Sequence, residues 1–335
     1  MNIGAPLLAI VGLVVVTWLG VGALPLDVLF AVVIPYLAIL AFLIGVVWRV
    51  VTWARVPVPF NICTTCGQQK TLPWIRSNPI ENPHSKLGVV GRLILEVLLF
   101  RSLFRNVRHE FVSRKNFEPR VAYKTTLWLW LGALAFHYSF LVVFLRHYRF
   151  FSDPVPKPLK FVETMDAFFQ VGSPTIYLSG IVLLAAVAFL LLRRLLLAQV
   201  RYISLANDYF PLFLIIAIAV TGILMRYTGL RVDITDVKNL CMGLMRFQPK
   251  LPADIGSIFY IHLVLVSLLF AYLPYSKLSH MLGIFLSPTR NMVGATRMRR
   301  HDNPWNYPVK VHTYEEYEND FRHKMKAAGL PVDKE

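Results

Sequence analysis

Charged residues are scarce in this chain of 335 residues: they make up only 16% of it, while 56% of the residues are hydrophobic. So few charges are atypical of a soluble domain, and that class is excluded. Six apolar runs are instead long enough to cross a bilayer as helices. They lie at about residues 4–24, 28–53, 122–148, 175–195, 209–227 and 256–280. No strand is needed, so the predicted fold is an all-α, polytopic membrane protein with six transmembrane helices.

Acidic residues are also few, with 19 Asp and Glu against 35 Lys and Arg. The cations are unevenly distributed between the two sets of connecting segments, twenty-four against seven. The rich set is 54–120, 193–208 and 277–335, and the poor set is 25–27, 149–174 and 228–254. Short loops rich in Lys and Arg stay in the cytoplasm. We therefore expect a multi-pass protein of the cell inner membrane with both termini and the long second loop in the cytoplasm.

The positive net charge has three interpretations. It fits this topology, and anionic membrane lipid or an acidic partner subunit could also use it. Nucleic acid is a poor explanation for charge that lies against a membrane, so no nucleic-acid partner is expected.

Two features that would indicate other assignments are missing. No basic residue precedes the first apolar run, because Arg49 is the first cation, and no small-residue cleavage site follows that run, so a cleaved signal peptide is not expected. A transporter would need broken helices and internal repeats around a midplane site, and the sequence shows no repeat. A transporter or a plain membrane anchor stays as an alternative of another class.

Cysteine is limited to Cys63, Cys66 and Cys241. A zinc or iron–sulfur site normally takes four ligands, and Cys241 is predicted on the opposite side of the membrane from the other two. A complete cluster within this chain is therefore not expected. The Cys63-Thr-Thr-Cys66 pair keeps three interpretations: a metal site shared with another subunit, a dithiol that cycles, or a reduced structural pair in a cytoplasmic loop.

Four histidines lie inside or at the ends of apolar runs: His137, His147, His262 and His280. An imidazole there is costly unless something uses it, which favours metal ligation. The spacings of ten and eighteen residues correspond to about 15 Å and about 27 Å along a helix, which are distances between two cofactors. In antiparallel helices His137 lies level with His280, and His147 with His262. Each couple is predicted to clamp one haem iron, the first on the cytoplasmic side and the second on the outer side.

The alternative for these histidines is an interfacial or core position with hydrogen bonds to backbone carbonyls, which is harder to reconcile with four matched positions. The angular fit is imperfect, because His262 and His280 share a helix face whereas His137 and His147 lie about 80° apart. Pro274 is expected to kink its helix and absorb part of the mismatch. The predicted architecture is a four-helix di-haem b bundle that conducts electrons across the membrane.

Charged side chains flank the outer couple at Arg146, Arg149 and Arg226. They either bind haem propionates or extend to the interface in the ordinary way. A lipid quinone would need a cleft near one haem with a proton acceptor that leads to water. The candidates in the outer loop are Lys160, Glu163 and Asp166.

The predicted organisation has four parts: residues 1–56 with two helices, 57–120 as a cytoplasmic loop, 121–282 as the di-haem bundle of helices 3–6, and 283–335 as a cytoplasmic tail. From Lys86 to Val107 apolar residues alternate with arginines, which predicts a basic amphipathic helix on the inner membrane surface or under a partner subunit. The tail has a short charged helix near 314–327 and too few apolar residues for a core, so we expect it to dock on a cytoplasmic subunit.

The four histidines with spacings of ten and eighteen resemble the haem ligands of the gamma subunit of respiratory nitrate reductase. The run from Tyr272 to His280 looks like that family's last haem helix, and Asn207-Asp208 and Thr221-Gly222 are similar in placement. This resemblance covers roughly residues 121–282. The additional first helix and the loop with Cys63-Thr-Thr-Cys66-Gly-Gln-Gln-Lys look more like the DsrM-type membrane cytochrome b of the sulfite-reductase-associated electron-transfer complex.

The resemblance implies two haem b groups and electron exchange with menaquinone. It also implies a cytoplasmic iron–sulfur subunit like heterodisulfide reductase, in dissimilatory sulfur metabolism. Other membrane and periplasmic electron-transfer subunits, including a multihaem cytochrome c, would complete the complex. Arg146 stands where the nitrate reductase relatives have glycine, so their quinone pocket is not transferred to this chain.

The chain alone is expected to be an electron-transfer subunit of a quinone-linked oxidoreductase complex. Two axial nitrogens on each iron leave no open position for oxygen chemistry, and no complete bond-making active site is present, so chemistry on sulfur would occur in the partner. The alternative within this class is the cytochrome b subunit of a nitrate reductase, formate dehydrogenase or hydrogenase.

Overall fold

The computed structural model describes residues 3–56, 61, 67–113, 118–167, 175–252, 255–294 and 311–334. Within these residues six helices are long and apolar enough to cross a membrane. A segment in hydrocarbon must satisfy its own backbone N–H and C=O groups, which a helix does. The predicted all-α, six-span membrane fold is therefore confirmed.

Two helices open the chain. Helix α1 spans Gly4–Gly22, and α2 spans Ile34–Ala54 after a π-helical turn at Leu29–Val33. Pro35 lies in the first turn of α2, where the N–H that proline lacks would have no intrahelical partner. Both spans agree with the predicted positions to within about two residues.

The segment that follows combines helices with a hairpin: α3 Lys86–Leu99, α4 Arg101–Phe104, and the antiparallel strands β1 Val107–Val112 and β2 Arg120–Thr125. One continuous amphipathic helix was expected from Lys86 to Val107, and this prediction is wrong. Phe100 adopts a left-handed conformation with φ of 48° and separates α3 from α4. No strand was needed for the membrane spans, and this hairpin lies outside them, before the third span. Cys63 and Cys66 lie outside the described residues.

The remaining elements form the other four spans and their connections. They are α5 Leu127–His147, a 3-10 turn Tyr148–Phe151, α6 Lys157–Asp166, α7 Leu178–Leu196, α8 Ala198–Tyr202, α9 Ala206–Tyr227, α10 Ile234–Met245, α11 Ser257–Tyr272, 3-10 turns Leu273–Tyr275 and Lys277–Ser279, α12 His280–Leu286, α13 Pro288–Asn291 and α14 Tyr314–Ala327. The charged helix predicted near 314–327 is confirmed as α14. Its N-terminus is a capping box in which Thr313 and Glu316 bond each other's backbone N–H.

The sixth span is shorter than predicted. A continuous helix to residue 280 is wrong, because α11 ends at Tyr272 and two 3-10 turns follow. Pro274 lacks a backbone N–H and interrupts the helical hydrogen bonds, and Arg49 of α2 donates from Nε to the Pro274 carbonyl at 2.9 Å. A Cβ atom on Gly45 would lie 2.8 Å from the Pro274 Cβ, so this glycine allows α2 to approach the break closely. His280 consequently opens a new helix, α12.

Helix α11 is the centre of the bundle. It packs against α1, α2 and α9, whereas α5 packs mainly against α7. The buried core draws on α1, α7, α9 and α11 through Ile10, Val187, Leu214, Ile215, Ile261, Leu265 and Leu269. Because α1 and α2 pack directly on α11, they contribute to the bundle that holds the site. The division into four parts stays a prediction.

Candidate functional site

The structure brings the four membrane histidines together as two couples. His137 on α5 lies beside His280 at the start of α12, with ring centroids 6.0 Å apart and ring planes at 82°. His147 at the end of α5 lies beside His262 on α11, with centroids 6.3 Å apart and planes at 18°. The couples therefore lie at two levels along α5, ten residues apart in sequence.

In three of these rings the Nδ1 atom contacts the backbone of its own chain segment. In each, Nδ1 lies within hydrogen-bond distance of a backbone carbonyl three or four residues earlier in the chain. These contacts join His137 to Ala133 at 2.8 Å, His147 to Val143 at 2.7 Å and His280 to Lys277 at 2.8 Å. A ring that donates from Nδ1 carries its lone pair on Nε2, which is the tautomer that a metal ligand needs.

His262 is oriented by a neighbouring helix. Its Nδ1 lies 2.9 Å from the Thr221 Oγ1 of α9. That hydroxyl also lies 2.8 Å from the carbonyl of Ala217, one turn earlier, so it donates to the carbonyl and accepts from the imidazole. A Cβ atom on Gly222 would lie 3.3 Å from the His262 Cε1, so glycine gives the ring room. Thr221 and Gly222 therefore fix one ring from the side of α9.

The geometry of both couples fits an iron ligated from two faces. Metal–imidazole bonds of about 2 Å on either side of one ion place the two ring centroids about 6 Å apart. Rotation about the bond to the metal changes the angle between the ring planes without changing this distance, so both observed angles are compatible. Each couple would hold one haem iron, and the group would supply one-electron transfer there.

Arg146, beside the outer couple, is held in a buried ion pair. Its Nη1 lies 2.7 Å from the Asp166 Oδ2 and 3.1 Å from the Ser179 Oγ. The Asp166 carboxylate also accepts from the backbone N–H and the hydroxyl of Ser179, at 2.7 and 2.6 Å. The side chains of Arg146 and Asp166 are only 14% and 5% exposed. The pair fastens α5 to the end of α6 and the start of α7.

Two guanidinium groups stack on the ring of Tyr177. The Cζ atoms of Arg146 and Arg226 lie 3.3 Å and 4.1 Å from its centroid, and Arg226 donates from Nη2 to the Thr175 carbonyl at 3.2 Å. Within the described part of the chain, the Nε atoms of both arginines are buried without a hydrogen-bond partner. Two such donors suit an anion, and a carboxylate is the natural acceptor for them.

A cavity of about 380 Å³ opens at the same end of the molecule. Arg149, Lys160, Glu163 and Tyr177 are among the described residues that line it, and the Arg149 Nη1 lies 3.3 Å from the Glu163 Oε1. Its volume lies in the range of small-molecule sites. Two of the three predicted quinone residues therefore line a cavity, whereas Asp166 is paired with Arg146.

The inner couple has a charged support that sequence reasoning missed. Asp208, in the first turn of α9, accepts from the Lys277 Nζ at 2.6 Å and from the backbone N–H of Leu205 at 3.0 Å. The Lys277 carbonyl in turn accepts from His280. In the sequence, Asp208 and Lys277 stand out as charged residues at the ends of two apolar runs. Their pairing could not be predicted, because it depends on how the two helices pack.

Comparisons with known proteins identify the family of this chain. The family model described as the nitrate reductase gamma subunit matches residues 93–296, which is more than half of the chain. The chain belongs to this family. All four histidines lie inside the match.

Two relatives from archaea match a larger share of the chain. One from Archaeoglobus fulgidus is 42% identical over 287 residues, which cover 84% of both chains. One from Archaeoglobus profundus is 41% identical over 280 residues, which cover 81% of both chains. Each is named an Hdr-like menaquinol oxidoreductase cytochrome b-like subunit. The resemblance to the nitrate reductase gamma subunit is confirmed, and the narrower one to the sulfite-reductase-associated complex stays a prediction.

Proposed function

We propose that this member of the nitrate reductase gamma subunit family is a membrane cytochrome b with two haem b groups. It carries electrons between menaquinol or menaquinone and a cytoplasmic iron–sulfur subunit that resembles heterodisulfide reductase. The observation that carries the proposal is the pair of facing histidine couples, at centroid distances of 6.0 and 6.3 Å. The names of the two archaeal relatives support the quinol and the Hdr-like partner.

The chain's own residues have defined tasks in this proposal. His137 and His280 would hold the haem nearer the cytoplasm, and His147 and His262 the one nearer the outer face. Haem held by two imidazoles supplies one-electron transfer with no open coordination position. We assign the buried Nε atoms of Arg146 and Arg226 to haem propionates because both donors are unpartnered within the described residues. Arg149 forms an ion pair with Glu163.

We place the quinone in the cavity beside Tyr177. Lys160 would donate to a quinone oxygen, since an ammonium group is a strong donor. Oxidation of a quinol to a quinone releases two electrons, which the outer haem would accept one at a time, and two protons. We assign Glu163 as the group that would accept these protons in turn and pass each one to water. Its side chain is 17% exposed, which connects it to water. Asp166 is assigned to holding Arg146, because its carboxylate is engaged there.

The wider complex follows from the same proposal. We expect the tail and the second loop to face the cytoplasm and to contact the iron–sulfur subunit, with further membrane and periplasmic electron-transfer subunits, including a multihaem cytochrome c. Dissimilatory sulfur metabolism is the proposed pathway. Co-purification with a molybdenum or nickel subunit would instead indicate a nitrate reductase, formate dehydrogenase or hydrogenase.

Replacing His262 by Ala tests the haem assignment. Removing one axial ligand should lower the haem b content from two per chain to one, measured by the pyridine haemochrome method and by the reduced-minus-oxidised spectrum of the purified complex. His109→Ala is the matched control, because His109 lies on the β1 strand outside the membrane spans and should leave both haems in place. Unchanged haem content in the His262 variant, or no haem in the unaltered protein, would overturn the proposal.

Variants in the cavity test the quinone assignment separately. Lys160→Ala should raise KM for a menaquinol analogue by roughly 10-fold, which corresponds to one lost charged hydrogen bond, with the haem content unchanged. Glu163→Gln should lower kcat because the proton acceptor is lost. Lys157→Ala, on the same helix α6, is the control and should behave like the unaltered protein. A normal KM and kcat in both cavity variants would place the quinone elsewhere.

A further inference from the structure

Helix α3 exposes most of its apolar side chains, while it buries the charged residues Arg92 and Glu96. Arg92 and Glu96 are only 4% and 6% exposed, whereas Leu87, Val90 and Ile94 are 84%, 51% and 52% exposed. Leu98 is 51% exposed and continues the same face at helical spacing. We call Leu87, Val90, Ile94 and Leu98 the apolar stripe. A helix in water would present the opposite face.

The charged face of α3 is covered by this chain itself. Helix α13 packs against α3. The Glu96 carboxylate accepts from the backbone N–H and the hydroxyl of Ser102, at the start of α4. Glu81 lies on the same side and pairs with Arg101 and Arg105. The apolar stripe therefore points away from the extramembrane part of the chain.

The C-terminal end of α3 contacts α5, the helix of the third span. The Leu99 carbonyl accepts from the Trp130 Nε1 at 2.7 Å, and the Leu98 carbonyl accepts from the Tyr138 hydroxyl at 2.8 Å. These aromatic residues are about 4 Å and about 16 Å along α5 from its first residue, at 1.5 Å per residue. The end of α3 therefore lies beside the first half of a helix that crosses the membrane.

These two hydrogen bonds also meet the requirement of a hydrocarbon environment. The last carbonyls of a helix have no intrahelical partner, and in water the solvent satisfies them. In hydrocarbon an unsatisfied carbonyl is strongly unfavourable, so another side chain must donate to it. Trp130 and Tyr138 do this for Leu99 and Leu98.

We infer that α3 is embedded in the bilayer leaflet around the N-terminal half of α5, with the apolar stripe on lipid acyl chains. The stripe continues the apolar surface of α5, where Trp128 is 76% and Leu131 is 42% exposed. The segment enters the leaflet along α3, turns at Phe100 against the ring of His137, at a centroid distance of 4.8 Å, and returns through α4. This placement of α3 is independent of haem binding and of the orientation of the chain in the membrane.

Nitroxide accessibility at Ile94 tests this inference. The full-length chain, with Cys63 and Cys66 replaced by serine, carries Ile94→Cys, is spin-labelled and is reconstituted into phosphatidylcholine–phosphatidylglycerol vesicles. Power-saturation electron paramagnetic resonance compares collisions with oxygen, which concentrates in hydrocarbon, and with a water-soluble nickel chelate. Leu141→Cys on α5 is the lipid control, Tyr317→Cys on α14 is the water control, and the chain without a new cysteine reports any label on Cys241.

The expected result is frequent collision with oxygen and rare collision with nickel at Ile94, as at Leu141 and opposite to Tyr317. Frequent collision with nickel would show that the stripe faces water, and protection from both reagents would show that protein covers it. Either outcome overturns the inference. Val90→Cys, on the same stripe, gives the same comparison where the Ile94 variant does not fold.

Discussion

Each of the four imidazole rings is oriented by a hydrogen bond from its Nδ1 atom to a carbonyl or hydroxyl oxygen. Three of them rely on carbonyls of their own helical turn, whereas His262 relies on Thr221 of another helix. The second arrangement can be tested without removing a ligand. Hydrogen bonds to the outer nitrogen of a ligating imidazole fix its tautomer and raise its basicity.

Replacing Thr221 by Val should weaken one haem site and spare the other. The variant keeps the side-chain shape and loses the acceptor for the His262 Nδ1, so we expect affinity for one haem to fall by about 10-fold to 100-fold. The midpoint potential of that haem should rise, because a less basic ligand stabilises the ferric state less. Haem quantification of the purified variant measures the loss of affinity, and redox titration monitored by haem absorbance measures the midpoint potential.

Thr221→Ser is the matched control, since serine retains the hydroxyl. Its spectrum and potential should resemble those of the unaltered protein. Equal changes in the serine and valine variants would contradict the hydrogen-bond role of Thr221. They would indicate that the side chain acts through packing alone.

At the scale of elements, a buried glutamate joins the last helix to the end of the chain. Helix α14 packs the end of the chain onto Glu318, whose side chain is only 2% exposed. Its carboxylate accepts from the backbone N–H groups of Asp333 and Lys334, both at 2.9 Å, and from the Arg322 Nε at 3.0 Å. Burial raises the pKa of Glu318, but these hydrogen bonds outweigh it and hold the pKa below its ordinary value.

This element should open in acid. Because the folded-state pKa of Glu318 is lowered, its contribution to stability is complete above the pKa of an unfolded glutamate and is lost as pH falls through the folded-state value. Hydrogen exchange of residues 328–334 in the full chain should show protection at neutral pH that declines over that interval. Glu318→Gln should remove the protection already at neutral pH.

Glu315→Gln is the control on the same helix. It removes the same charge from an exposed ion pair with Lys334, and such pairs contribute little. We expect unchanged protection at neutral pH. Protection that is independent of pH in the unaltered chain would contradict the assigned role of Glu318.

At the scale of the whole molecule, the six spans place the couples and the connecting segments relative to the membrane. An even number of spans, as counted in the described residues, puts both ends of the chain on one side of the membrane, and the cation distribution predicts that this side is the cytoplasm. The cavity beside Tyr177 would then face outward, with the α3 segment in the inner leaflet. The orientation is a prediction with a direct test.

Reporter fusions should give opposite results at two positions. Green fluorescent protein fused after residue 334 should fluoresce, and alkaline phosphatase there should be inactive, because we place the tail in the cytoplasm. The same reporters after Gly229, between α9 and α10, should give the reverse. Active phosphatase at the end of the chain would invert the proposed topology and move the quinone cavity to the cytoplasmic side.

Local properties of the sequence determined a large part of this picture. Hydropathy located six spans because a helix in lipid must be apolar over the full bilayer thickness, independently of its neighbours. The polar side chains that such a run still carries are conspicuous, so the amino-acid sequence was enough to select His137, His147, His262 and His280. Their haem ligation remains the proposal to be tested.

Tertiary structure decided what depends on residues far apart in the chain. Pro274 predicted a kink, but only the packed structure shows that α11 ends at Tyr272 and that Gly45 and Arg49 contact the break. The charged side chains of α3 are buried because α13 packs against this helix and Ser102 donates to Glu96. The carboxylate of Asp166 accepts a hydrogen bond from the Arg146 Nη1 because α6 ends beside α5. Long-range packing sets these contacts, and the periodicity of a single segment carries no information about them.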